Sequence, residues 1–336
     1  MNKRVSIPAN DASGDGAPPL MPRQCALPEQ AVGELIRGLG AQCRRYRKQL
    51  RRCQKKPSEK AIHDSRVETR RLVSSIELLA LLLPKGEVRK AGRILKEHLD
   101  TFDDLRDTQV QLGAIEKLQR AFPAARQFAV YLQEREERFA KQTARAIRRV
   151  KTRRLEKMIG EFAEYAAKQR KRLSLSKANA KVLESVTRAF RRAEDLRGLI
   201  DPKDTRTIHC ARVAFKKFRY MVEGLRQHVA AIDKQRLRAM HAYQTIMGDI
   251  QDAEVLLRTF DKFSRKKVRQ PEPVRALHDE LVRCRESLIH RYLGVADQLL
   301  QFWPLLETAD PSTAKSARAG SETGSVTASR SEPSGH

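Results

Sequence analysis

The sequence predicts an all-α protein, and three observations support this fold class. Apolar residues recur at intervals of three and four from about residue 27 to about residue 307, which is typical of amphipathic helices. Glycine and proline, which interrupt helices, are few in a chain of this length, with 16 glycines and 14 prolines. No segment alternates apolar and polar residues with the period of two that a strand requires. A chain of 336 residues is long enough for one large domain or two ordinary ones.

The two ends differ in composition from the rest of the chain. Residues 1–26 are rich in Pro, Gly, Asp and Ser, and residues 308–336 form a low-complexity stretch of Ser, Thr, Ala and Gly. Neither end has the periodic apolar residues that a core needs, so we expect both to be disordered. The folded part is therefore predicted to span residues 27–307.

The first two helices are marked by their boundary residues. Pro28 suits the first turn of a helix that runs to about Lys56. Ser58 is expected to cap the second helix, which should end before Pro84 and Gly86.

The middle of the chain predicts longer helices. A helix that starts near residue 87 is expected to bend within "HLDTFDDLRD" and to continue to Phe122. One or two very long helices follow, up to the connector "SLSKANA". Ser176 in this connector is expected to cap a helix that ends near Leu199.

The last third of the chain predicts three more helices. Asp201-Pro202 should break the chain, and Asp204 should cap the helix that follows. A further helix holds "HAYQTIMGDIQDAEVLLRTF", and the last one should run from "PEPVRALHDE" to about Leu306.

An internal repeat organises these helices. "IHDSRVETRRLVSSIELL" (62–79) aligns without gaps with "IHCARVAFKKFRYMVEGL" (208–225), and "FDDLRDTQVQL" (102–112) aligns with "MGDIQDAEVLL" (247–257). The spacing between the paired motifs is kept to within one residue, which indicates duplication of a helical unit. We predict a first repeat at about 27–172 and a second at about 177–307.

Each copy of the first motif carries cations on one side of its helix. At 100° per residue, one stripe roughly 100° wide holds six residues of the second copy: His209, Arg212, Lys216, Arg219, Tyr220 and Glu223. The opposite side is apolar and should face the core, with Ile208, Phe215, Phe218, Val222 and Leu225. The first copy has His63, Arg66, Arg70 and Arg71. The first helix has a basic row at intervals of three and four, with Arg44, Arg47, Lys48, Arg51 and Lys55.

The charge of the chain narrows the classes of partner. A formal net charge of +27 predicts a polyanionic partner, which could be nucleic acid, an acidic membrane surface or a polyphosphate. Aromatic residues are only 5% of the chain, and Trp303 reads as core, so an anion without bases fits better than single-stranded nucleic acid. The longest apolar run, "LLALLLP", is too short to span a bilayer.

The cysteines and the N-terminus favour a cytoplasmic protein. The five cysteines are widely spaced and form no CxxC motif, which fits a reducing compartment. The first twenty residues contain no apolar segment of the kind found in secretory signals.

Rows of guanidinium and ammonium groups suit successive phosphates, because Arg forms bidentate contacts and Lys supplies a point charge. A solvated basic face is the alternative for each row, although duplication argues against it for the repeated motif. Four aspartates occupy aligned positions in the two repeats: Asp104, Asp107, Asp249 and Asp252. They either hold the basic side chains in place or bind a metal.

The repeated motifs "HDSRVETRR" and "HCARVAFKKFRY", with "DDLRD" and "GDIQD", resemble the CHAD family, the conserved histidine α-helical domain. The resemblance covers about residues 27–307. It implies two pseudo-twofold-related four-helix bundles around a basic central channel. It also implies non-catalytic binding of inorganic polyphosphate and association with polyphosphate granules, as in the bacterial phosins.

The resemblance also assigns site residues. The first copy matches at His63, Arg66, Arg70 and Arg71, and the second matches at His209, Arg212, Lys216, Lys217, Arg219 and Tyr220. Val73 departs from the family pattern, which usually has a basic residue there, so the first half could be the weaker anion site. No cofactor or metal is implied. Other granule-associated proteins are possible partners, and weak non-specific nucleic-acid binding is possible.

Two other functions stay open. The first is a nucleic-acid-associated basic protein, since a charge of +27 attracts DNA whatever the design. The second is a metal-dependent phosphohydrolase, because the pair His-Asp occurs at His63-Asp64 and at His278-Asp279. The second repeat has Cys210 where the first has Asp64, which argues against a shared metal ligand.

Overall fold

A computed structural model describes residues 27–267 and 271–303 of the chain. These ranges contain ten α-helices, two short 3₁₀ helices and no strand, which confirms the all-α prediction. The helices are α1 (Ala31–Lys55), α2 (Glu59–Leu78), α3 (Lys85–Asp100), α4 (Asp103–Glu116), α5 (Pro123–Arg149), α6 (Arg153–Arg172), α7 (Leu175–Gly198), α8 (Thr205–Leu225), α9 (Lys234–Lys267) and α10 (Pro271–Leu293). The tails predicted to be disordered, 1–26 and 308–336, lie outside the described residues.

The helix starts follow the chemistry of their capping residues. The Ser58 hydroxyl accepts a hydrogen bond from the Ala61 backbone N–H, and the Asp204 carboxylate accepts one from that of Arg206, so both predicted caps are confirmed. The cap predicted at Ser176 is wrong. Ser174 caps α7 instead, through its contact with the backbone N–H of Lys177, because the chain enters the helix two residues earlier.

Three other boundaries differ from the expected ones. Helix α1 begins at Ala31, and Pro28 lies before it, with its carbonyl accepting the Ala31 N–H. The bend expected within "HLDTFDDLRD" is a complete break, since α3 ends before Thr101 and the Phe102 side chain between α3 and α4 is buried. Helix α10 stops at Leu293, well short of Leu306, and a 3₁₀ helix follows over Ala296–Phe302.

The cores join the two halves of the chain. Helices α4 and α5 of the first half pack with α9 and α10 of the second around one cluster of buried side chains, which includes Phe128, Phe260 and Leu277. Helix α1 packs against α2 and α6, and α7 packs against α8. A four-helix group is thus built from both halves. The pseudo-twofold relation between the repeats stays a prediction.

Helix α2 packs directly against α8, and this contact positions the two repeated motifs. Gly224 is required at the close approach, because a Cβ atom there would lie 2.8 Å from Cδ1 of Leu78 on α2. The apolar side of α8 faces inward as predicted, and its five residues are buried: Ile208, Phe215, Phe218, Val222 and Leu225. Trp303 is also core, and its indole N–H donates to the hydroxyl of Thr187.

Two further observations bear on the expectations from composition. The cysteines in the described part of the chain are free thiols: Cys43, Cys53, Cys210 and Cys284. None of the described helices combines the length and the apolar character needed to cross a membrane.

Candidate polyanion-binding surface

Four cations from the two repeated motifs meet between α2 and α8, and we call them the central cluster: Arg66, Arg70, Arg212 and Lys216. Lys216 is half-buried and lies within electrostatic range of the three arginines. Burial first, and then repulsion from Arg70, Arg212 and Arg66, lower the pKa of Lys216 to about 7. Burial contributes most to this shift, and the three neighbouring arginines add to it.

The other members of the central cluster have different partners. The Arg66 guanidinium donates to the Asp103 carboxylate at 2.8 Å, and its side chain is 13% exposed. Arg70 is hydrogen-bonded to the hydroxyl of Tyr220 across the α2–α8 contact, and burial lowers the pKa of Arg70. The Arg212 side chain lies over Gly248 on α9, and its Nε is buried without a hydrogen-bond partner.

The two motif histidines have different surroundings. His209 is half-buried, and burial followed by repulsion from Arg212, Lys216 and Arg258 lowers its pKa, although a hydrogen bond with Gln251 opposes this shift. Its Nδ1 is buried and has no hydrogen-bond partner. His63 is exposed on the first part of α2. Nδ1 of His209, on α8 beside the central cluster, therefore has an unsatisfied hydrogen-bonding position.

Aspartates border the central cluster, but the pairing differs in part from the prediction. Asp103, and not its neighbour Asp104, binds Arg66, because the two residues point about 100° apart on α4. Partial burial first, and then repulsion from Asp103 and Asp252, raise the pKa of Asp107 to about 6. Burial also raises the pKa values of Asp249 and Asp252, and nearby Arg212 opposes both shifts.

The metal alternative has no candidate ligand set in the part of the chain that the structure describes. Within 27–267 and 271–303, no three His, Cys, Asp or Glu side chains are grouped so that they could hold a metal ion. His278 instead contacts Asp261 and Asp279 at 3.4 and 3.6 Å.

The rest of the predicted basic stripe has partners within the protein. Arg219 is buried, and its guanidinium donates to Gln244 and Glu223 while lying over the ring of Tyr220. Lys217 pairs with Glu77 at 2.7 Å. The prediction of one continuous cationic face on α8 is therefore wrong at Arg219, because α2 and α9 cover this end of the helix.

Arg71 is likewise held by carboxylates, from Glu68 at 2.7 Å and Glu223 at 3.3 Å. It lines a cavity of about 910 Å³ between α1, α2 and α8. The cavity wall mixes both signs of charge, with Glu34 and Glu223 beside Arg45, Arg71 and Arg226. This cavity does not have the uniformly basic lining that the resemblance implies for a channel.

The basic row of α1 forms a separate cleft of about 280 Å³, whose lining residues are all cations: Arg44, Arg47, Lys48, Arg51, Arg52 and Lys55. We call these six residues the α1 row. Arg47 donates to Glu156 on α6 at 2.7 Å, and this contact fixes one edge of the row. The four residues predicted on this helix are thus brought together, and Lys55 extends them as its spacing predicted.

Three residues near the site were not predicted from the sequence. Asp103 and Gln251 contact Arg66 and His209, and Arg52 joins the α1 row. A signal for Asp103 existed, since "FDDLRD" contains two adjacent aspartates and either one could reach α2. No comparable signal marked Gln251, whose role depends on how α9 packs on α8.

The chain is similar in sequence and fold to proteins of one family. A family model described as the CHAD domain matches residues 35–261, about two thirds of the chain. The structure of the CHAD domain from the plant Ricinus communis is similar with a TM-score of 0.54 and 15% identity, covering 86% of this chain and 94% of that one. PptA from Streptomyces chartreusis is similar with a TM-score of 0.58 and 16% identity, covering 80% and 99%. At these identities the structures show the fold. A comparison with curated proteins gives no match.

Proposed function

We propose that this chain, which belongs to the CHAD domain family, binds inorganic polyphosphate without catalysis and associates with polyphosphate granules in the cytoplasm. The observation that carries the proposal is the central cluster, where cations from both repeats meet. Burial first, and then repulsion from Arg70, Arg212 and Arg66, lower the pKa of Lys216 there to about 7. A bound polyanion would relieve the repulsion among these cations.

The chemistry of the cluster suits phosphate better than other anions. Guanidinium groups make bidentate hydrogen bonds to phosphate oxygens, and a lysine adds a compact charge. Nε of Arg212 and Nδ1 of His209 are buried and have no hydrogen-bond partner, and both side chains are only half-buried as a whole. A polyphosphate chain would raise the pKa of Lys216 again by placing negative charge beside it.

The proposed binding residues fall into two groups. We propose direct phosphate contacts for the central cluster, His209 and the α1 row. Other predicted contacts are made secondary by their internal partners, and we propose that they position the α2–α8 face: Arg71, Lys217, Arg219 and Tyr220. His63 is exposed and can reach a ligand that extends beyond α2.

The test is a pair of binding isotherms, with polyphosphate of defined length and with duplex DNA, at physiological salt. We expect polyphosphate to displace DNA far more readily than the reverse. The variant Arg212→Gln/Lys216→Gln should lose about 100-fold or more in affinity for polyphosphate, since each charge-assisted hydrogen bond contributes about 1.5–3 kcal/mol. The matched control is Lys141→Gln/Arg148→Gln, two exposed cations on α5. Equal losses in both variants would reject the central cluster as the site.

A thermal melt distinguishes a chain-binding site from general anion screening. A polyphosphate that binds only the folded state should stabilise it by about 2.7 kcal/mol at a hundredfold excess over Kd. Orthophosphate at the same total phosphate should do little, because it cannot link contacts along one chain. Equal shifts from both would contradict the proposal.

Two alternative functions have direct tests. If the chain is a nucleic-acid-binding protein, the isotherms will show similar affinities for DNA and for polyphosphate. If it is a phosphohydrolase, incubation with polyphosphate and a divalent metal will release phosphate. Granule association is tested by co-sedimentation of the chain with polyphosphate granules, using the Arg212→Gln/Lys216→Gln variant as the control.

A further inference from the structure

The α1 row and the central cluster have different neighbours. Arg47 of the α1 row contacts Glu156 on α6, and Gln54 on the same helix donates to carbonyls at the end of α5 and just beyond it. The central cluster instead contacts α4 through Asp103 and α9 through Gly248. The two sets of cations are therefore embedded in different parts of the helical assembly.

The orientation of α1 separates the two sets further. Its packed side is formed by buried residues that include Leu39, Tyr46, Leu50 and Cys53. At 100° per residue, the α1 row is centred about 160° away from that packed side. The row thus points away from the core of the bundle, whereas Arg66 and Arg70 lie at the contact between α2 and α8.

The α1 row has little charge compensation of its own. Its cleft is lined by six cations and by no carboxylate. Within the described part of the chain, three of the six side chains are exposed and have no hydrogen bond or ion pair to an acid: Arg44, Lys48 and Arg51. Arg51 lies within electrostatic range of Glu156 on α6. From Arg44 to Lys55 the row runs for about 16 Å along the helix. Such a row offers a phosphate chain repeated contacts along its length.

We propose that the α1 row is a second polyanion-binding site, separate from the central cluster, and that one protein molecule can therefore link two polyphosphate segments. This inference rests on the proposed function, because both sites take the same class of ligand. Two sites on one rigid body bind a long chain with a high effective concentration, or they cross-link two chains. Cross-linking gives a physical route by which a binding protein joins a granule.

The number of sites is tested by calorimetry with tripolyphosphate, a ligand too short to follow the whole row. Wild-type protein should bind two molecules, and the variant Arg44→Gln/Lys48→Gln/Arg51→Gln should bind one. This variant leaves Arg47 and its contact with Glu156 in place. The matched control Lys141→Gln/Arg145→Gln/Arg148→Gln removes three exposed charges from α5 and should still bind two.

Cross-linking is tested by light scattering with long-chain polyphosphate. Wild type and the α5 control should scatter strongly at intermediate ratios and clear in excess polyphosphate, whereas the α1 variant should scatter no more than protein alone. A single site in wild type that the Arg212→Gln/Lys216→Gln variant abolishes would overturn the second site and leave the proposed function standing. Absence of polyphosphate binding by wild type would overturn both. Unchanged stoichiometry or scattering in the α1 variant would overturn this inference alone.

Discussion

The two copies of the repeated motif place equivalent arginines in opposite electrostatic situations. Arg66 in the first copy is paired with Asp103 at the start of α4. Arg212 is its equivalent in the second copy, and the position that matches Asp103 is Gly248. The Arg212 side chain lies against this glycine, and its Nε has no hydrogen-bond partner. Arg66 is thus paired with a carboxylate at this aligned position, and Arg212 is not.

This difference explains how a symmetric motif can give an asymmetric site. Removing a carboxylate and a Cβ atom in the second copy leaves both charge and space beside Arg212. Asp249 and Asp252 lie close enough to influence Arg212 electrostatically, and burial raises the pKa of each. We therefore expect the second copy to contribute more than the first to polyphosphate binding. The reason is the absence of a carboxylate at Gly248, and not the presence of Val73 in the first copy.

The largest effect is expected from making the second copy resemble the first. Gly248→Asp places a carboxylate beside Arg212, where a Cβ atom has room, since the nearest arginine atom is 3.6 Å away. The affinity for polyphosphate should fall by about 10- to 100-fold, equivalent to one charge-assisted hydrogen bond of about 1.5–3 kcal/mol. Gly248→Ala is the steric control and should bind like wild type. The measurement is a binding isotherm, and an equal loss in both variants would show that space and not charge is responsible.

The next effect concerns Lys216, which faces Arg70 and Arg66 on α2, Arg212 on α8 and Asp103 on α4. Its pKa is about 7 in the folded protein and near 10.5 in the unfolded chain, so the unfolded state binds more protons between these values. The free energy of unfolding should therefore rise with pH between about 7 and 10.5, by up to about 1.4 kcal/mol per pH unit from this group.

The variant Lys216→Gln should lose this contribution. Denaturant unfolding of both proteins at pH 7 and pH 9 measures it, and the variant should be the more stable protein at pH 7. With polyphosphate present this rise in stability with pH should be smaller, because the anion favours the charged lysine and raises its pKa. Binding by wild type should then take up protons near pH 8, and its affinity should fall as the pH rises. Parallel pH profiles for the two proteins would contradict the placement of Lys216 in a cationic cluster.

A smaller effect is expected from freeing the first copy. Asp103→Asn removes the negative charge that binds Arg66, and the affinity for polyphosphate should rise several-fold. The gain is limited because the Asp103 side chain is 51% exposed and exposed pairs contribute only about 0–1 kcal/mol. Asp104→Asn is the matched control, since it changes the same charge at the same helix terminus without touching Arg66. A similar gain in the control would mean that general charge, and not the pairing of Arg66, limits binding.

The sequence predicted the helices and the buried side of the second motif, because 100° per residue and the capping residues are local properties. The buried row from Ile208 to Leu225 and the caps at Ser58 and Asp204 follow from that alone. The division into two repeats stays a prediction. The burial of Arg219 could not be predicted, because it depends on a hydrogen bond with Gln244 of α9 and on how closely α2 packs. The choice between Asp103 and Asp104 similarly depended on the rotation of α4 about its axis.

The smallest effect on the affinity for polyphosphate is expected at Val73. The family resemblance alone would suggest the opposite, because a basic residue is usual at this position. Val73 aligns with Arg219 of the second copy, so Val73→Arg restores a basic residue at the family position. Arg219 itself is buried, however, and its guanidinium is occupied by Gln244 and Glu223. An arginine at this position serves the packing between helices more than the ligand. The affinity of Val73→Arg for polyphosphate should therefore stay within about twofold of wild type, a change of about 0.4 kcal/mol. A tenfold gain in the isotherm would show that Val73, and not the Asp103–Arg66 pair, weakens the first copy.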